Sequence, residues 1–227
     1  MTRLPSWAEY LLIPLLNLSL AFGVAKMAQE EGAEVILTGF GRAMRLTQRT
    51  ARKLDPVPEV LELDISNADD CAAVRAHLEE HWGRVDGALH AIGFAPEACL
   101  GDDFFGADWS DVSVALEVSA YSLRSLADIV TPLMPPKDEG GGTIVGLTFD
   151  ATLAWPAYNW MGMAKAALES LNRYLARELG PQGVRTNLVA AGPMKTIAAK
   201  SIPGFAKFED EWTARAPLGW DVTDSTG

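Results

Sequence analysis

Short apolar runs rich in β-branched residues alternate along the chain with longer stretches in which apolar residues recur at helical spacing. The short runs predict strands over 10–13, 34–37, 60–63, 87–92, 143–147 and 185–189. The longer stretches predict helices over 19–31, 43–54, 68–82, 111–133 and 157–179. Strands that alternate with crossover helices form parallel sheets. The chain is therefore predicted to be an α/β protein with a doubly wound parallel sheet.

Residues that typically flank helices support these boundaries. Gly32 directly follows the first predicted helix, and Gly180 follows the last. Asn67 stands where it can cap the third helix. The glycine-rich stretch 137–142 reads as a loop that leads into the fifth strand.

Glycine and aspartate recur directly after the predicted strands. Ligands of doubly wound sheets bind outside the carboxyl ends of the strands. A glycine there lets the backbone approach a ligand, and an aspartate can accept a hydrogen bond from an adenine amine or a ribose hydroxyl. Each glycine alone is also explained by the needs of a turn. Together they favour a dinucleotide site at Gly39-Phe40, Asp64-Ile65, Ile92-Gly93-Phe94, 148–150 and 190–193.

Tyr158 and Lys165 are the strongest candidates for chemistry. They are seven residues apart, about two helical turns, so on a helix both side chains project from one face. A lysine cation there can steady a neighbouring hydroxyl that polarises a carbonyl. A half-buried tyrosine beside a solvated lysine is the alternative interpretation of the pair alone.

Composition narrows the range of functions. The chain has 227 residues, of which 48% are apolar and 22% charged, and this length suits one domain over 1–227. A net charge of −11 disfavours nucleic acid or an anionic membrane as a partner, since both require a basic face. The two cysteines and three histidines have no metal-ligand spacing, so no metal is expected and the predicted compartment is the reducing cytoplasm. Polar and proline positions within 10–25 favour a buried strand and helix over a membrane anchor.

Several strings in the chain resemble one family, the NADH-dependent enoyl-[acyl-carrier-protein] reductases, and most of all their isoniazid-target type from mycolic-acid synthesis. The resemblance runs from Ser19 to Thr226 and rests on Phe149, the segment 156–161, Lys165, 184–193 and 215–220. It implies a single Rossmann-like domain in three layers. It further implies the reduction of trans-2-enoyl thioesters, carried on acyl carrier protein, to saturated acyl thioesters with NADH in fatty-acid synthesis.

The resemblance also implies roles for the catalytic residues. Tyr158 would hydrogen-bond the thioester carbonyl and stabilise the enolate that forms when hydride reaches the β-carbon. Lys165 would hold the ribose hydroxyls of the nicotinamide nucleotide, and Phe149 would line the site beside the nicotinamide and the acyl chain. A reductase of simple ketones would need Tyr and Lys four residues apart, whereas position 162 is Gly.

The remaining site residues follow from the same resemblance. Residues 195–217 would form a substrate-binding lid, and a homotetramer would be the assembly. The implied substrate contacts are Tyr158, Met161, Ile202 and Leu218. The implied NADH contacts are Ser19, Leu20, Phe40, Asp64, Ile65, Ile92, Gly93, Lys165, Gly192, Met194 and Thr196.

Two departures from the family pattern leave an alternative open. Residues 13–18 read Ile-Pro-Leu-Leu-Asn-Leu where the family has a glycine-containing phosphate loop, and proline removes a backbone donor there. The last parallel strand of the family is also expected to be missing, since the sequence ends at Gly227. The alternative is a non-catalytic Rossmann-like homologue with impaired dinucleotide binding.

Overall fold

Six parallel strands form one sheet in this computed structural model, which describes residues 10–14 by their backbone and residues 20–194, 212 and 214–222 in full. The strands are β1 (Tyr10–Pro14), β2 (Glu34–Gly39), β3 (Glu59–Glu62), β4 (Gly87–His90), β5 (Thr143–Thr148) and β6 (Arg185–Ala190). Their order across the sheet is β3-β2-β1-β4-β5-β6. The order reverses at β1, which pairs with β2 on one side and β4 on the other. The predicted doubly wound α/β arrangement is confirmed.

Helices connect the strands as predicted, with ends displaced by a few residues. They are α1 (Leu20–Glu30), α2 (Met44–Ala51), α3 (Ala68–His81), α4 (Trp109–Leu116), α5 (Ser122–Val130) and α6 (Asn159–Leu179). Asn67 caps α3 through its side-chain oxygen, which accepts from the Asp69 and Asp70 amides. Gly32 follows α1 with φ +96°. Gly180 directly follows α6, as predicted, and a 3₁₀ turn over Gly180–Gln182 then leads to Gly183, which has φ +90°.

The helix predicted as one unit over 111–133 contains a π turn. Residues Glu117–Tyr121 join α4 to α5 in this wider turn. A π turn inserts one residue and shifts which side chains face inward. Ser119 and Ser122 are buried here, and the Ser122 hydroxyl donates to the Val118 carbonyl at 2.7 Å. The apolar periodicity revealed the helix, but not this local widening.

Apolar side chains are buried on both faces of the sheet because successive strand residues point in opposite directions. Val35 and Leu37 of β2 belong to one cluster with Ala21 and Ala25 of α1. Ile36, between them, belongs to a second cluster, built largely by α3, α5 and α6. The carboxyl ends of the strands are thereby held by packed helices on two sides.

Two finer predictions about the fold stay predictions: the three-layer arrangement and the missing last strand. Among the described helices, none combines the length and the apolar character needed to cross a membrane.

Candidate active site

A pocket of about 310 Å³ opens at the carboxyl ends of β2, β3 and β4. It lies beside the point where the strand order reverses, the usual ligand position in this architecture. Four of the residues that the sequence assigned to the cofactor line it together. The lining consists of Thr38, Gly39, Phe40, Leu63, Asp64, Ile65, Ser66, Ile92, Phe94, Val114 and Val118.

The polar edge of this pocket is built around Asp64. One carboxylate oxygen of Asp64 accepts from the Ser66 amide at 3.0 Å and from the Ser66 hydroxyl at 2.6 Å. The Asp64 amide donates to an Asp70 carboxylate oxygen at 2.9 Å. These bonds fix the turn after β3, so the pocket presents a preorganised acceptor edge. Ile65 and Ile92 are 7% and 5% exposed and supply an apolar wall.

Phe40 and Gly39 contribute in different ways. Phe40 lines the pocket and is 47% exposed, so part of its side chain is accessible to a ligand. A Cβ at Gly39 would lie 2.8 Å from the Thr47 hydroxyl and 3.2 Å from the Thr47 Cβ. Glycine at 39 is therefore explained by the close approach of α2 to β2, as well as by its place in the pocket.

Lys165 reaches from α6 to the ends of β4 and β5. Its ammonium donates to the Leu147 carbonyl at 3.1 Å. A Cβ added at Gly93 would stand 3.6 Å from the Lys165 Nζ, so the glycine keeps the backbone beside the cation uncovered. The predicted pair Gly93 and Lys165 is thus brought together next to the pocket wall formed by Ile92 and Phe94.

Burial changes the acidity of Lys165. Desolvation of its ammonium lowers the pKa of Lys165 from 10.5 to about 8. The residue keeps part of its surface exposed, and at neutral pH it is still mostly a cation. The site therefore combines one half-buried positive charge with further donor capacity, since an ammonium has three N–H groups and one of them donates to the Leu147 carbonyl.

Tyr158 lies one residue before α6, which corrects the prediction that places it inside the helix. The backbone reason is that Ala157 and Asn159 have φ of +63° and +46°, so the chain turns on both sides of Tyr158 before regular helix begins. The pair therefore does not share a helical face over two full turns. Tyr158 itself has φ −80° and its carbonyl accepts from the Met161 amide at 2.9 Å.

The ring of Tyr158 stacks on Phe149, as expected for two residues of one site. Their centroids are 4.0 Å apart and the planes differ by 7°. Burial raises the pKa of Tyr158 to about 12, so the phenol keeps its proton across the range in which proteins are stable. A neutral phenol held by an aromatic neighbour can donate a hydrogen bond to a carbonyl oxygen.

Three tryptophans that the sequence analysis did not single out surround this aromatic pair and Gly192. The Trp155 and Phe149 rings meet edge to face, with centroids 5.7 Å apart. The Trp155 and Trp212 ring centroids are 5.3 Å apart, and the two planes are tilted by 40°. Trp220 donates through its indole N–H to the Pro193 carbonyl at 2.8 Å. A Cβ at Gly192 would collide with the Trp220 ring at 2.5 Å. Tryptophans at 155, 212 and 220, next to glycine and proline at 192–193, were a compositional signal for this cluster.

A second cavity of about 540 Å³ is lined in part by Tyr158. It is bounded mainly by the loop between β5 and α6, by the segment near Gly101 and by the first turns of α6. Its lining is Gly101, Asp102, Phe104, residues 151–159, Gly162, Met163 and Ala166. The two cavities share no lining residue: Ile92 and Phe94 line the strand-end pocket, whereas Tyr158 lines this one.

The remaining predicted site residues lie in separate elements of the fold. Leu20 begins α1, Met161 is half-buried in α6, and Met194 is 8% exposed after β6. Leu218 is fully exposed in a turn, so no contact described here supports its predicted substrate role. Three further predicted contacts, Ser19, Thr196 and Ile202, lie outside the described residues, as do most of the proposed lid 195–217 and the loop 15–19.

Sequence reasoning missed one side of the strand-end pocket. Val114 of α4 and Val118 of the π turn line it, and Ser119 hydrogen-bonds its wall at Phe94. The sequence feature that could have indicated this side of the pocket was the pair Ser119 and Ser122, two polar residues three positions apart within an apolar helical stretch. Within the described part of the chain, no group of three or more His, Cys, Asp or Glu residues could hold a metal ion.

Comparisons with known proteins all indicate the same family for this chain. A family model described as Enoyl-(Acyl carrier protein) reductase matches residues 16–226. The chain is 46% identical over 222 residues to the enoyl-[acyl-carrier-protein] reductase [NADH] of Mycolicibacterium smegmatis, covering 92% of this chain and 81% of that protein. It is 42% identical over 221 residues to the enzyme of the same name from Mycobacterium avium, with the same coverage. A third relative, from Neisseria meningitidis, is 39% identical over 208 residues, or 90% of this chain and 78% of the relative.

Proposed function

The chain belongs to the enoyl-(acyl carrier protein) reductase family, and from this premise we propose that it reduces trans-2-enoyl thioesters on acyl carrier protein to saturated acyl thioesters with NADH. The observation that carries the proposal is the placement of Lys165 against Gly93, beside a pocket that holds Phe40, Asp64, Ile65 and Ile92. The proposed setting is fatty-acid synthesis, because the relatives are named for acyl-carrier-protein substrates.

The residues fit the adenosine half of NADH. The exposed face of Phe40 offers a stacking surface, the Asp64 turn offers acceptors, and Ile65 and Ile92 offer an apolar wall. The pocket volume of about 310 Å³ is at the lower end of the range typical for small-molecule sites. Gly93 leaves room beside the Lys165 ammonium, which can donate to ribose hydroxyls.

The reaction assigns a separate task to each catalytic residue. When bound, the reduced nicotinamide would supply hydride to the β-carbon of the enoyl thioester, and a proton from solvent at the α-carbon would complete the saturated product. Tyr158 donates its phenolic hydrogen bond to the thioester carbonyl and stabilises the negative charge that builds up on that oxygen. Phe149 holds the Tyr158 ring through their 4.0 Å stack. Lys165 orients the cofactor and, as a cation, further favours negative charge nearby.

The finer assignments of the site belong to the same proposal. We assign Leu20, Phe40, Asp64, Ile65, Ile92, Gly93, Lys165, Gly192 and Met194, with Ser19 and Thr196, to NADH. Met161, Ile202 and Leu218, with the lid 195–217, are assigned to the acyl chain. The packing of Trp220 and Trp212 against Gly192 supports a role for this region as an aromatic end of the site.

The broader context is proposed on separate grounds. A cytoplasmic homotetramer with the Rossmann-like domain in three layers is our proposal for the assembly. Its support is a set of large apolar side chains that are exposed on or near α4 and α6, namely Phe105, Trp109, Tyr121 and Tyr174. The alternative of an inactive homologue rested on two departures from the family pattern, residues 13–18, which lie largely outside the described residues, and the expected missing last strand. No comparison favours this alternative.

The experiment that tests the function is a calorimetric titration of the purified chain with NADH, followed by an assay of trans-2-enoyl thioester reduction. Saturable binding of NADH, preferred over NADPH, with conversion of the enoyl thioester to the saturated product would support the proposal. The preference is informative because Arg42 could favour NADPH. This exposed cation lies two residues after Phe40, in the segment where the 2′-phosphate of NADPH would have to fit. A folded protein that binds no NADH would refute it.

A further inference from the structure

The wall that separates the strand-end pocket from Lys165 is held by one buried hydroxyl. This wall is the segment Ile92-Gly93-Phe94, which begins two residues after the end of β4 at His90. Ile92 and Phe94 line the pocket, while Gly93 faces the Lys165 ammonium. A segment that would contact the cofactor on one side and lies beside the Lys165 ammonium on the other needs to be held in place, and it lies beyond the last residue of β4.

Ser119 makes the contacts that hold it. Its hydroxyl oxygen accepts from the Phe94 amide at 2.8 Å, and its O–H donates to the Phe94 carbonyl at 2.7 Å. One side chain thus satisfies both backbone polar groups of a single residue, and this restrains the backbone on both sides of it. Ser119 is fully buried, so water does not compete for these bonds.

The position of Ser119 depends on the π turn. Glu117–Tyr121 form this turn between α4 and α5, and the turn also places Val118 in the pocket wall. The Cβ that Gly93 lacks would stand 4.0 Å from the Ser119 Oγ and 3.6 Å from the Lys165 Nζ. The hydroxyl and the ammonium therefore approach the same glycine.

We propose that Ser119 is a positioning residue for the reductase. It fixes the Gly93 backbone, so that the cofactor in the pocket and the Lys165 ammonium are held at the correct position relative to each other. The proposal rests on the proposed NADH function. It gives the π turn a role, consistent with the frequent occurrence of such turns at functional sites. Ser119 acts through Phe94 and Gly93 and is not assigned a contact with the substrate.

The test compares Ser119→Ala with a matched control, Ser122→Ala. Ser122 is equally buried and also makes two hydrogen bonds, but these go to the Val118 carbonyl and to the imidazole Nε2 of His90. Both variants lose similar interactions, so both should lower the thermal midpoint by similar amounts. The quantities that separate them are the NADH dissociation constant by calorimetry and the KM for NADH.

Ser119→Ala is expected to raise the NADH dissociation constant about 5- to 10-fold, on the scale of one or two lost hydrogen bonds. Its kcat at saturating NADH should change much less than its KM, and Ser119→Thr, which keeps a hydroxyl, should recover most of the affinity. Ser122→Ala should bind NADH within about twofold of the parent chain, since its bonds do not reach Phe94.

An NADH affinity of Ser119→Ala equal to that of Ser122→Ala would overturn the proposal and leave Ser119 a purely structural residue. Should Ser119→Ala not fold, Ser119→Cys, which keeps the size but weakens both bonds, is measured against the same criterion. Failure of the parent chain to bind NADH would refute the function itself, and this outcome is seen before any variant is made.

Discussion

The proposed role of Tyr158 as a hydrogen-bond donor can be tested by removing one heavy atom, its phenolic oxygen. The change Tyr158→Phe deletes the phenolic oxygen but keeps a ring that can stack on Phe149 at 4.0 Å. We expect kcat to fall by about 100-fold, the usual scale for losing one donor to a developing oxyanion. The NADH dissociation constant should stay within about twofold, because the change removes charge stabilisation rather than cofactor contacts.

The measurements are steady-state kinetics with an enoyl thioester and calorimetry with NADH. Phe149→Leu, which keeps the hydroxyl but removes the stacking partner, serves as the comparison and should cost less than Tyr158→Phe. Unchanged turnover in Tyr158→Phe would exclude the phenol from the mechanism.

The acidity of Lys165 predicts how cofactor binding depends on pH. Because the folded pKa of about 8 lies below the ordinary 10.5, the folded protein releases this proton at a lower pH than the unfolded chain does. The ammonium is present near pH 7 and is lost as pH rises through about 8. NADH affinity should therefore decline over that range, as measured by titrations from pH 6.5 to 9.5.

The same shift has the opposite sign for stability. Between about pH 8 and 10.5 the unfolded chain holds the lysine proton and the folded chain does not, so this residue makes the free energy of unfolding rise with pH in that window. Lys165→Met carries no titrating group at this position. In that variant NADH binding should be weaker at pH 7 and should lack the decline near pH 8, and a persisting decline would assign it to another group.

At the scale of elements, the start of α6 stores backbone strain beside the catalytic phenol. Ala157 has φ +63°, a left-handed conformation that costs a residue with a Cβ about 1 kcal/mol more than glycine. Ala157→Gly should therefore raise the thermal midpoint by about 2–4 °C, as read by calorimetry. It should also lower kcat by about 10-fold, because a freer backbone holds Tyr158 less firmly.

Ala154→Gly is the matched control for that change. Ala154 is exposed on the same loop and does not have a positive φ, so glycine there relieves no strain and should not stabilise the protein. A rise in midpoint without loss of kcat in Ala157→Gly would mean that the strain does not serve the placement of Tyr158.

The elements themselves were largely predictable, and their functional irregularities were not. Apolar periodicity located all six strands, and the residues after β2, β3 and β4 pointed to the pocket that Phe40, Asp64 and Ile92 share. The π turn at 117–121 and the turn around Tyr158 escaped prediction. Both depend on tertiary hydrogen bonds and packing, which override the local preference for a regular helix.

At the scale of the whole molecule, contacts between tryptophans join parts of the chain far apart in sequence. Trp155, before α6, meets Trp212 at 5.3 Å. A double-mutant cycle of Trp155→Ala and Trp212→Ala should give a coupling of about 0.5–1.5 kcal/mol in the free energy of unfolding, the usual value for an aromatic pair. Denaturant titrations of the four proteins provide the measurement.

Trp82 provides the reference pair for this cycle. Its indole N–H donates to Glu34 at the start of β2, at the opposite end of the sheet from the candidate site. Trp82→Ala and Trp212→Ala should therefore be additive within about 0.5 kcal/mol. Equal couplings in the two cycles would show that the Trp155–Trp212 contact adds nothing of its own.

The tryptophans around Gly192 also give the molecule an optical property. Trp155, Trp212 and Trp220 are grouped around Phe149 and Gly192, and the family resemblance places Phe149 beside the nicotinamide. Reduced nicotinamide absorbs light in the band where indole emits, whereas the oxidised ring does not. Excitation energy absorbed by these indoles should therefore transfer to bound NADH, and the tryptophan emission should decrease. The fluorescence of the protein then reports the oxidation state of its cofactor during turnover, without any added dye.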